Sequence, residues 1–240
     1  MKRILFIALC LATAGCQNPF NRTRDASGAG PTGTISATTD FVVFRDELTT
    51  GGGAFEFPGS DAQSLSFNDT SNPLSRRSIR YSWTGDAVAG QSVFAGFDLM
   101  HTTTLAAYAG TPGRNLVATG SNPNYTKVTF YARGSLSSNT VLKIEVADDG
   151  NTTTPDPCLT LSKAGAQADD VCSANGPDPF AQPPQVLSTN WMPYTLAIPN
   201  ASLLSNIKDF FKATFVFTPS FGAPQGQGGT VYIDKIQYEQ

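Results

Sequence analysis

The chain has 240 residues, of which 40% are hydrophobic and only 15% are charged, and it contains 22 glycines and 16 prolines. This composition excludes intrinsically disordered, collagen-like and coiled-coil proteins, because each of those classes needs a charge, glycine or heptad bias that is missing here. The 16 Lys and Arg residues and 19 Asp and Glu residues give a net charge of −3. Because no basic surplus is present to neutralise phosphates, we predict no nucleic-acid partner.

The first fifteen residues are predicted to form an export signal and not part of the fold. A positive start, Lys2 and Arg3, precedes an apolar run over residues 4–12 that is too short to span a bilayer. Residues 13–15 are small enough for a signal peptidase to accept. We therefore expect residues 1–15 to be removed on export.

The next residue, Cys16, gives this segment a resemblance to the lipobox of bacterial lipoproteins. The resemblance implies a diacylglycerol on the Cys16 thiol, cleavage directly before it, and anchoring of the mature chain to a membrane. Gln17 follows the cysteine where Asp would signal retention, which in the family points to the outer membrane, facing the periplasm or the cell surface. Thr13 replaces the Leu that is usual in the motif. The alternative is therefore an ordinary secretory signal that is cleaved at another position.

Residues 16–38 are predicted to form a flexible tether, because after the cysteine they are polar, rich in Gly, Ser and Thr, and without an apolar period. Beyond residue 39 no second linker interrupts the pattern. About 200 residues suit one all-β domain with a sizeable core. The sequence thus predicts a signal over 1–15, a lipidated tether over 16–38 and one folded domain over 39–240.

Alternation of apolar and polar residues with a period of two is the main structural signal of the folded domain. Over residues 78–83, Ile79, Tyr81 and Trp83 share one face and polar residues share the other. The pattern recurs over 127–133, 141–146 and 211–218. Further strand-like runs, separated by Gly, Pro, Asn and Asp clusters, lie at 41–44, 54–57, 64–67, 93–99, 192–198 and 230–238.

Helices are nearly absent from the pattern, since only residues 201–209 suit a helical turn or two. Strands that lack helical partners must bury their apolar faces against each other. The sequence therefore predicts an all-β fold, a two-sheet antiparallel β-sandwich of the jelly-roll type.

Two cysteines, Cys158 and Cys172, remain in the folded domain, fourteen positions apart in one polar stretch. An exported protein reaches an oxidising compartment, where a disulfide closing a loop of this size contributes roughly 3 kcal/mol. A metal site needs more soft ligands than these two and the distant His101. We predict a Cys158–Cys172 disulfide.

Six segments resemble, in this order, bacterial carbohydrate-binding modules of the galactose-binding-like superfamily. They are FVVFRDEL at 41–48, RSIRYSW at 77–83, FAGFDL at 94–99, KVTFYARG at 127–134, STNWMPYTLAIP at 188–199 and GTVYIDKIQYE at 229–239. The resemblance covers roughly residues 39–240 and implies a jelly roll. Residues 147–185 depart from it, because they are predicted to form a much longer connecting loop than is usual there.

The resemblance also implies a non-catalytic domain that binds a polysaccharide or other glycan through an aromatic platform and fixed polar groups. Tyr131 and Arg133 lie on the polar side of their predicted strand, and Arg80, Lys143 and Glu145 have equivalent outward positions. These five are the predicted ligand-binding residues. A solvated outer face without ligand is the alternative.

The two tryptophans are predicted to pack in the core. Trp83 shares the phase of the apolar face of its strand, and Trp191 opens a strand that carries a structural Trp in the family. Neither is therefore included among the predicted ligand-binding residues.

A structural Ca²⁺ ties the first strand to the last in many modules of this superfamily, and the resemblance implies one here. Asp234 matches the acidic position of the last strand, and Asp46 or Glu47 are the expected partners near the first strand. Ordinary surface acids beside Lys235 and Arg45 are the alternative. Five acids of the long loop are predicted to be solvated: Asp148, Asp149, Asp156, Asp169 and Asp170.

Enzyme classes fit the sequence poorly. A Ser-His-Asp or Cys-His site would need His101, the only histidine, and no G-x-S-x-G motif is present. The glutamates do not form the E-x-D-x-x-E strand of jelly-roll glucanases, although Glu145 and Asp149 come close in spacing. Residues 44–48 resemble the R-x-E-L strand of alginate lyases, whose other two motifs have no match. We predict a protein without catalytic residues.

Binding of protein partners, as an adhesin or a structural lipoprotein of the envelope, is the remaining alternative, because a fold alone does not choose among such functions. The favoured prediction is an outer-membrane lipoprotein that holds carbohydrate.

Overall fold

The computed structural model describes nine segments of the chain, and the predicted signal peptide, Cys16 and the tether lie outside them. The segments are residues 40–57, 62–85, 94–117, 125–138, 140–149, 155–163, 171–172, 179–217 and 227–240. Within these segments no helix has the length and apolar character that crossing a membrane requires.

Strands dominate the described residues, with one short helix and one 3-10 turn. The elements are β1 Phe41–Arg45, β2 Glu47–Leu48, β3 Gly53–Phe57, β4 Ala62–Asp69, β5 Ser78–Gly85, β6 Phe94–Met100, α1 Leu105–Gly110, β7 Lys127–Leu136, β8 Thr140–Asp148, β9 Cys158–Ser162, β10 Ala181–Val186, β11 Met192–Ala197, the 3-10 turn Ala201–Leu204, β12 Asp209–Phe217 and β13 Gln227–Glu239.

Two sheets contain these strands. Sheet 1 has the order β11-β7-β13-β1-β2, and β5 also pairs with β13 and carries β4 on its other edge. Sheet 2 has the order β10-β9-β8-β12-β6-β3. The chain passes back and forth between the sheets, which confirms the predicted jelly-roll sandwich. One pair, β9 with β10, is parallel, so the predicted antiparallel pairing is wrong at that edge.

The core lies between the sheets and follows the predicted period of two. Tyr81 from β5 stacks on Phe215 from β12 with ring centroids 5.2 Å apart, and Phe130 from β7 meets Phe211 edge-on at 5.2 Å. All four are fully buried, as is Trp83, which confirms the predicted core position of that tryptophan. Burial of each such side chain stabilises the fold by about 1.5–3 kcal/mol.

The prediction of a loop over the whole of residues 147–185 is wrong for its described parts. Cys158–Ser162 form β9, whose five residues are all buried, and Ala181–Val186 form β10 at the edge of sheet 2. Two prolines in β10 occur where the register of the parallel pair shifts, and prolines in strands are confined to such edges and bulges. Strand β9 has only five residues and β10 contains two prolines, so neither shows enough alternation to be predicted from the sequence.

Two helical details also differ from expectation. Over residues 201–209 only the 3-10 turn forms, and β12 already begins at Asp209. Helix α1 was not predicted; it begins after Thr104, whose side chain accepts a hydrogen bond from the backbone N–H of Ala107.

The predicted disulfide between Cys158 and Cys172 is present, with the Cα atoms 5.8 Å apart. Cys158 pairs with Glu145 across β8 and β9, so its side chain lies on the outer face of sheet 2. The hydroxyl of Thr160 lies 3.4 Å from the sulfur of Cys172 on the same face. The disulfide therefore fastens Cys172 to the outside of sheet 2.

Candidate functional site

The five predicted ligand-binding residues lie on two different faces of the sandwich. Arg80, Tyr131 and Arg133 are on the outer face of sheet 1, on β5 and β7. Lys143 and Glu145 are on the outer face of sheet 2, on β8. Their outward phase is confirmed, but the structure does not bring the five together into one site.

Cations of the protein cover the aromatic rings on the outer face of sheet 1. Strand register places Arg80, Tyr232 and Arg133 in one row. The guanidinium carbon of Arg133 lies 4.0 Å from the ring centroid of Tyr232 and 5.2 Å from that of Trp191. The ammonium nitrogen of Lys235 lies 5.6 Å from the ring centroid of Tyr131. These rings already have cation–π partners.

Trp191 is not in the core, so that prediction is wrong. Its side chain is half-buried, and its indole N–H donates a 2.8 Å hydrogen bond to the carbonyl of Asn72. The reason is strand phase, because Tyr194 and Leu196 take the inward positions of β11 and Trp191 falls on the other side.

Three phenylalanines form an aromatic patch on the outer face of sheet 2, and we call Phe55, Phe57 and Phe94 the phenylalanine patch. Phe94 is 44% exposed and is the most exposed aromatic side chain of the described residues. The rings of Phe57 and Phe94 lie 6.2 Å apart, centroid to centroid. A Cβ atom at Gly96 would lie 2.2 Å from the ring of Phe57, so only glycine allows that ring to cross β6.

A row of charged residues adjoins the phenylalanine patch. Lys212 on β12 lies opposite Asp98 on β6 and opposite Glu145 on β8. Its ammonium nitrogen lies 3.6 Å from a carboxylate oxygen of Asp148 and 4.0 Å from one of Glu145. Lys143 contacts Glu145 at 2.6 Å. We call this group, with Asp209 and Asp156, the acidic row.

Three carboxyl groups of the acidic row have raised pKa values. Burial, followed by the neighbouring charge of Asp209, raises the pKa of Asp98 to about 8. Burial and the charge of Asp148 raise the pKa of Asp156 to about 8. Burial raises the pKa of Asp209 to about 6, even though the hydroxyl of Tyr108 donates a 2.7 Å hydrogen bond to it. These side chains therefore carry protons near neutral pH to a degree that solvated acids do not.

The predicted solvation of the long-loop acids is wrong for two of them. Asp148 is 8% exposed and ends β8, and the Asp156 carboxyl is buried enough to shift its pKa. Asp148 lies opposite Asp209 in the β8–β12 pair, and Asp156 lies two residues before the unpredicted strand β9, which pairs with β8. Asp169 and Asp170 lie outside the described residues.

The carboxylates expected to hold calcium bind backbone N–H groups. Asp46 accepts hydrogen bonds from the N–H groups of Arg76 and Arg77 at 2.6 and 2.9 Å. Asp234, fully buried, accepts them from Leu74 and Ser75, each at 3.1 Å. Burial raises the pKa of the Asp46 carboxyl, but hydrogen bonds from Ser75, Arg76 and Arg77 outweigh it and lower the pKa overall.

Glu47, the third expected calcium ligand, is exposed on β2. Over the described segments no three His, Cys, Asp or Glu side chains are grouped closely enough to hold a metal ion. Calcium binding at Asp46, Glu47 and Asp234 stays a prediction.

His101 lies between polar atoms of the backbone and a threonine. Its Nδ1 is 3.0 Å from the carbonyl oxygen of Lys208, and its Nε2 is 3.1 Å from the hydroxyl of Thr111. That hydroxyl donates to the carbonyl oxygen of Ala107 at 2.7 Å, so its proton does not point to the imidazole. This geometry is not that of a nucleophile activated by a histidine base.

Sequence reasoning missed the phenylalanine patch and much of the acidic row. Phe94 and Asp98 alternate with the buried Ala95, Phe97 and Leu99. This alternation alone is sufficient to predict that Phe94 and Asp98 point outward from β6. That β3 and β12 lie on either side of β6 depends on sheet order, which single-strand patterns do not contain.

No protein-family model and no curated protein sequence matches the chain. Solved structures with a similar arrangement include a family 11 carbohydrate-binding module from Clostridium thermocellum, with 11% identity over 85% of this chain and 97% of that chain and a TM-score of 0.40. A family 30 module of a cellulosomal cellulase of Clostridium thermocellum has 10% identity over 84% and 97% of the two chains and a TM-score of 0.42. TmCBM61, solved with β-1,4-galactotriose, has 11% identity over 80% and 90% and a TM-score of 0.36.

Proposed function

We propose that this protein is a non-catalytic carbohydrate-binding protein and that the glycan lies on the outer face of sheet 2. The observation that carries the proposal is the exposed ring of Phe94 on the same outer sheet face as a row of charged side chains. A sugar presents apolar C–H faces that pack on aromatic rings, and hydroxyl groups that charged and polar side chains bind. The outer face of sheet 2 offers both within one surface.

The outer face of sheet 1 is the weaker choice for the same function. Its rings face Arg133 and Lys235, so a sugar would have to displace a cation before it could stack there. The ring of Phe94 has a phenylalanine as its aromatic neighbour and needs no such displacement.

Retention of the purified full chain in native gels that contain soluble polysaccharides tests the proposal. We expect slower migration in gels with at least one neutral or amino-sugar polysaccharide than in gels without polysaccharide. Migration that no member of a broad panel changes, repeated with calcium and with a chelator, would contradict it. That result would favour the alternative function, an envelope protein that binds other proteins.

We also propose that Cys16 carries the lipid that anchors the protein to the outer membrane. The lipobox-like segment before Cys16 and the following Gln17 support this proposal. Expression in a bacterial host with radiolabelled palmitate should label the wild-type chain and leave Cys16→Ser unlabelled. Equal labelling of both chains, or labelling of neither, would contradict a lipid anchor on Cys16.

A further inference from the structure

The acidic row contains more carboxyl groups than lysines. The charged and titratable groups that face it come from β6, α1, β8, β12 and the segments next to them: Asp98, His101, Tyr108, Lys143, Glu145, Asp148, Asp149, Asp156, Lys208, Asp209 and Lys212. Six of these are carboxyl groups and three are lysines, one of which, Lys208, lies 5.3 Å from the ring of Tyr108.

The two remaining lysines are already paired. Lys143 binds Glu145, and Lys212 lies within 4.0 Å of Glu145 and Asp148. Among the described residues no ion pair joins Asp98 or Asp209, although Lys212 stands directly opposite Asp98 in the sheet. The internal stretches that the structure does not describe contain no Lys, Arg or His, so none of them can supply a cation.

Buried polar atoms on this face also lack hydrogen-bond partners. Asp209 is 4% exposed, and its Oδ1 atom has no partner in the described structure. Thr214 is 7% exposed and lies opposite Gly96 and Lys143, and its hydroxyl has no hydrogen-bond partner in the described structure. The Oδ1 atom of Asp98 is also buried without a partner there. A buried polar group without a partner costs about 1–3 kcal/mol, which a donor on a ligand would recover.

A metal ion does not fit this need. It requires several ligating atoms around one point, and no three acidic, His or Cys side chains of the described residues are grouped so closely. A protonated amine needs only hydrogen-bond acceptors and negative charge around it, and it carries three donors.

We propose that the acidic row binds a protonated amino group of the ligand, so that the glycan class which this protein takes is one with unacetylated amino sugars. The inference rests on the proposed carbohydrate-binding function and deepens it. The phenylalanine patch packs against a sugar ring, and Asp98 and Asp209 accept hydrogen bonds from the ammonium group. A polyuronate carries carboxylates in place of the amine, and these accept hydrogen bonds but donate none, so they cannot bind Asp98 and Asp209 in the same way.

Protonation gives the proposal a second readout. The pKa of Asp98 is about 8 in the free protein, so this carboxyl holds a proton at pH 7. An ammonium group beside it stabilises the ionised form and lowers that pKa. Binding of an amine that is already protonated therefore releases a proton from Asp98 to the buffer, whereas binding of an uncharged sugar at the same place does not.

Calorimetric titration of the purified full chain at pH 7 with matched hexamers tests the inference. The probes are the glucosamine hexamer, the N-acetylglucosamine hexamer, a galacturonate hexamer and, as an amine without a sugar, spermine. We expect the glucosamine hexamer to bind at least about tenfold more tightly than the N-acetylated one, because charge-assisted hydrogen bonds are worth about 1.5–3 kcal/mol. Its measured enthalpy should also vary between buffers of different ionisation enthalpy, which reports the proton release.

The variant Asp98→Asn should remove most of the preference for the amine and keep binding of the N-acetylated hexamer. Asp69→Asn, the same chemical change on β4 of sheet 1, should leave the preference intact. Equal binding of the two hexamers, equal binding of spermine, or equal losses in Asp98→Asn and Asp69→Asn would overturn the inference and leave the proposed function standing. Binding of none of the hexamers would also overturn the inference, whereas only the failure of the whole polysaccharide panel in native gels would overturn the proposed function.

Discussion

The carboxylates of Asp46 and Asp234 bind consecutive N–H groups of one four-residue segment, Arg76 and Arg77 for the first and Leu74 and Ser75 for the second. This segment leads into β5. Strand β5 pairs with the first half of β13 and β1 pairs with its second half. The two carboxylates therefore hold the junction at which the first strand, β5 and the last strand of the domain meet.

Loss of the buried carboxylate should destabilise the fold with or without calcium. We expect Asp234→Ala to lower the free energy of unfolding by about 2–4 kcal/mol, because buried N–H groups lose a charged acceptor. Urea unfolding followed by tryptophan fluorescence, in calcium and in chelator, measures the effect, and Thr195→Ala at an exposed position of β11 serves as the control. A loss that appears only in the presence of calcium would assign the role of Asp234 to the ion.

The disulfide should contribute to stability through the loop that it closes. Cys158 and Cys172 are fourteen residues apart, so we expect reduction to lower the free energy of unfolding by about 3 kcal/mol. The comparison is urea unfolding of the oxidised chain against the chain with reductant. The double variant Cys158→Ala, Cys172→Ala should no longer respond to the reductant. An unchanged midpoint in the wild-type chain would show that the constraint does not stabilise the domain.

The acidic row should make stability fall as the pH rises from about 4 to 8. The pKa of Asp98 is about 8 in the folded chain against an ordinary value of 3.8, so the folded state holds a proton that the unfolded state releases across this range. Asp98→Asn removes this penalty. We expect the variant to resemble the wild type near pH 4 and to exceed it by on the order of 2 kcal/mol at pH 8.

Unfolding free energies of both chains at pH 4, 6 and 8 measure this difference. Stability curves that run parallel over the whole range would mean that the Asp98 carboxyl does not hold its proton in the folded protein.

Tyr131 distinguishes the two outer faces. Because its ring faces Lys235 on sheet 1, we expect Tyr131→Ala to leave glycan binding within about twofold of the wild type and to cost only about 0.5–1 kcal/mol of stability, the range of a cation–π contact at an exposed site. Binding isotherms and urea unfolding of the same preparations provide the measurement. A large loss of affinity would show instead that the glycan binds the outer face of sheet 1, as the sequence pattern around Tyr131 predicts.

Much of the fold follows from period-two patterns, because each buried strand face must alternate. The Ile79, Tyr81 and Trp83 face of β5 is an example, and its three residues are buried as predicted. Strands β9 and β10 were not predicted, because β9 has only five residues and β10 has six that include two prolines, too few to show clear alternation. The core position predicted for Trp191 is wrong because it was based on the structural Trp of the family, whereas the phase of β11 places Trp191 on the opposite side from the buried Tyr194 and Leu196.

The candidate site was less accessible to the sequence for a different reason. Lys143 and Glu145 were recognised as outward-facing, but their neighbours Lys212 and Asp98 come from strands distant in the chain. The order of strands in a sheet determines which outward-facing residues become neighbours. Alternation within a single strand contains no information about that order. The same limitation placed Tyr131 and Glu145 in one predicted site although they lie on different sheets.

Polysaccharide binding by the variant Phe94→Ala tests whether the outer face of sheet 2 is the glycan site. Phe94 is 44% exposed on sheet 2, and Met192 is 46% exposed on β11 of sheet 1, so Met192→Ala is a matched control. With the polysaccharide that retains the wild type, we expect Phe94→Ala to bind at least about tenfold more weakly, since loss of an aromatic anchor costs 1–3 kcal/mol or more, and Met192→Ala to bind like the wild type. Unchanged affinity in Phe94→Ala, with both variants folded as stably as the wild type, would contradict carbohydrate binding on this face.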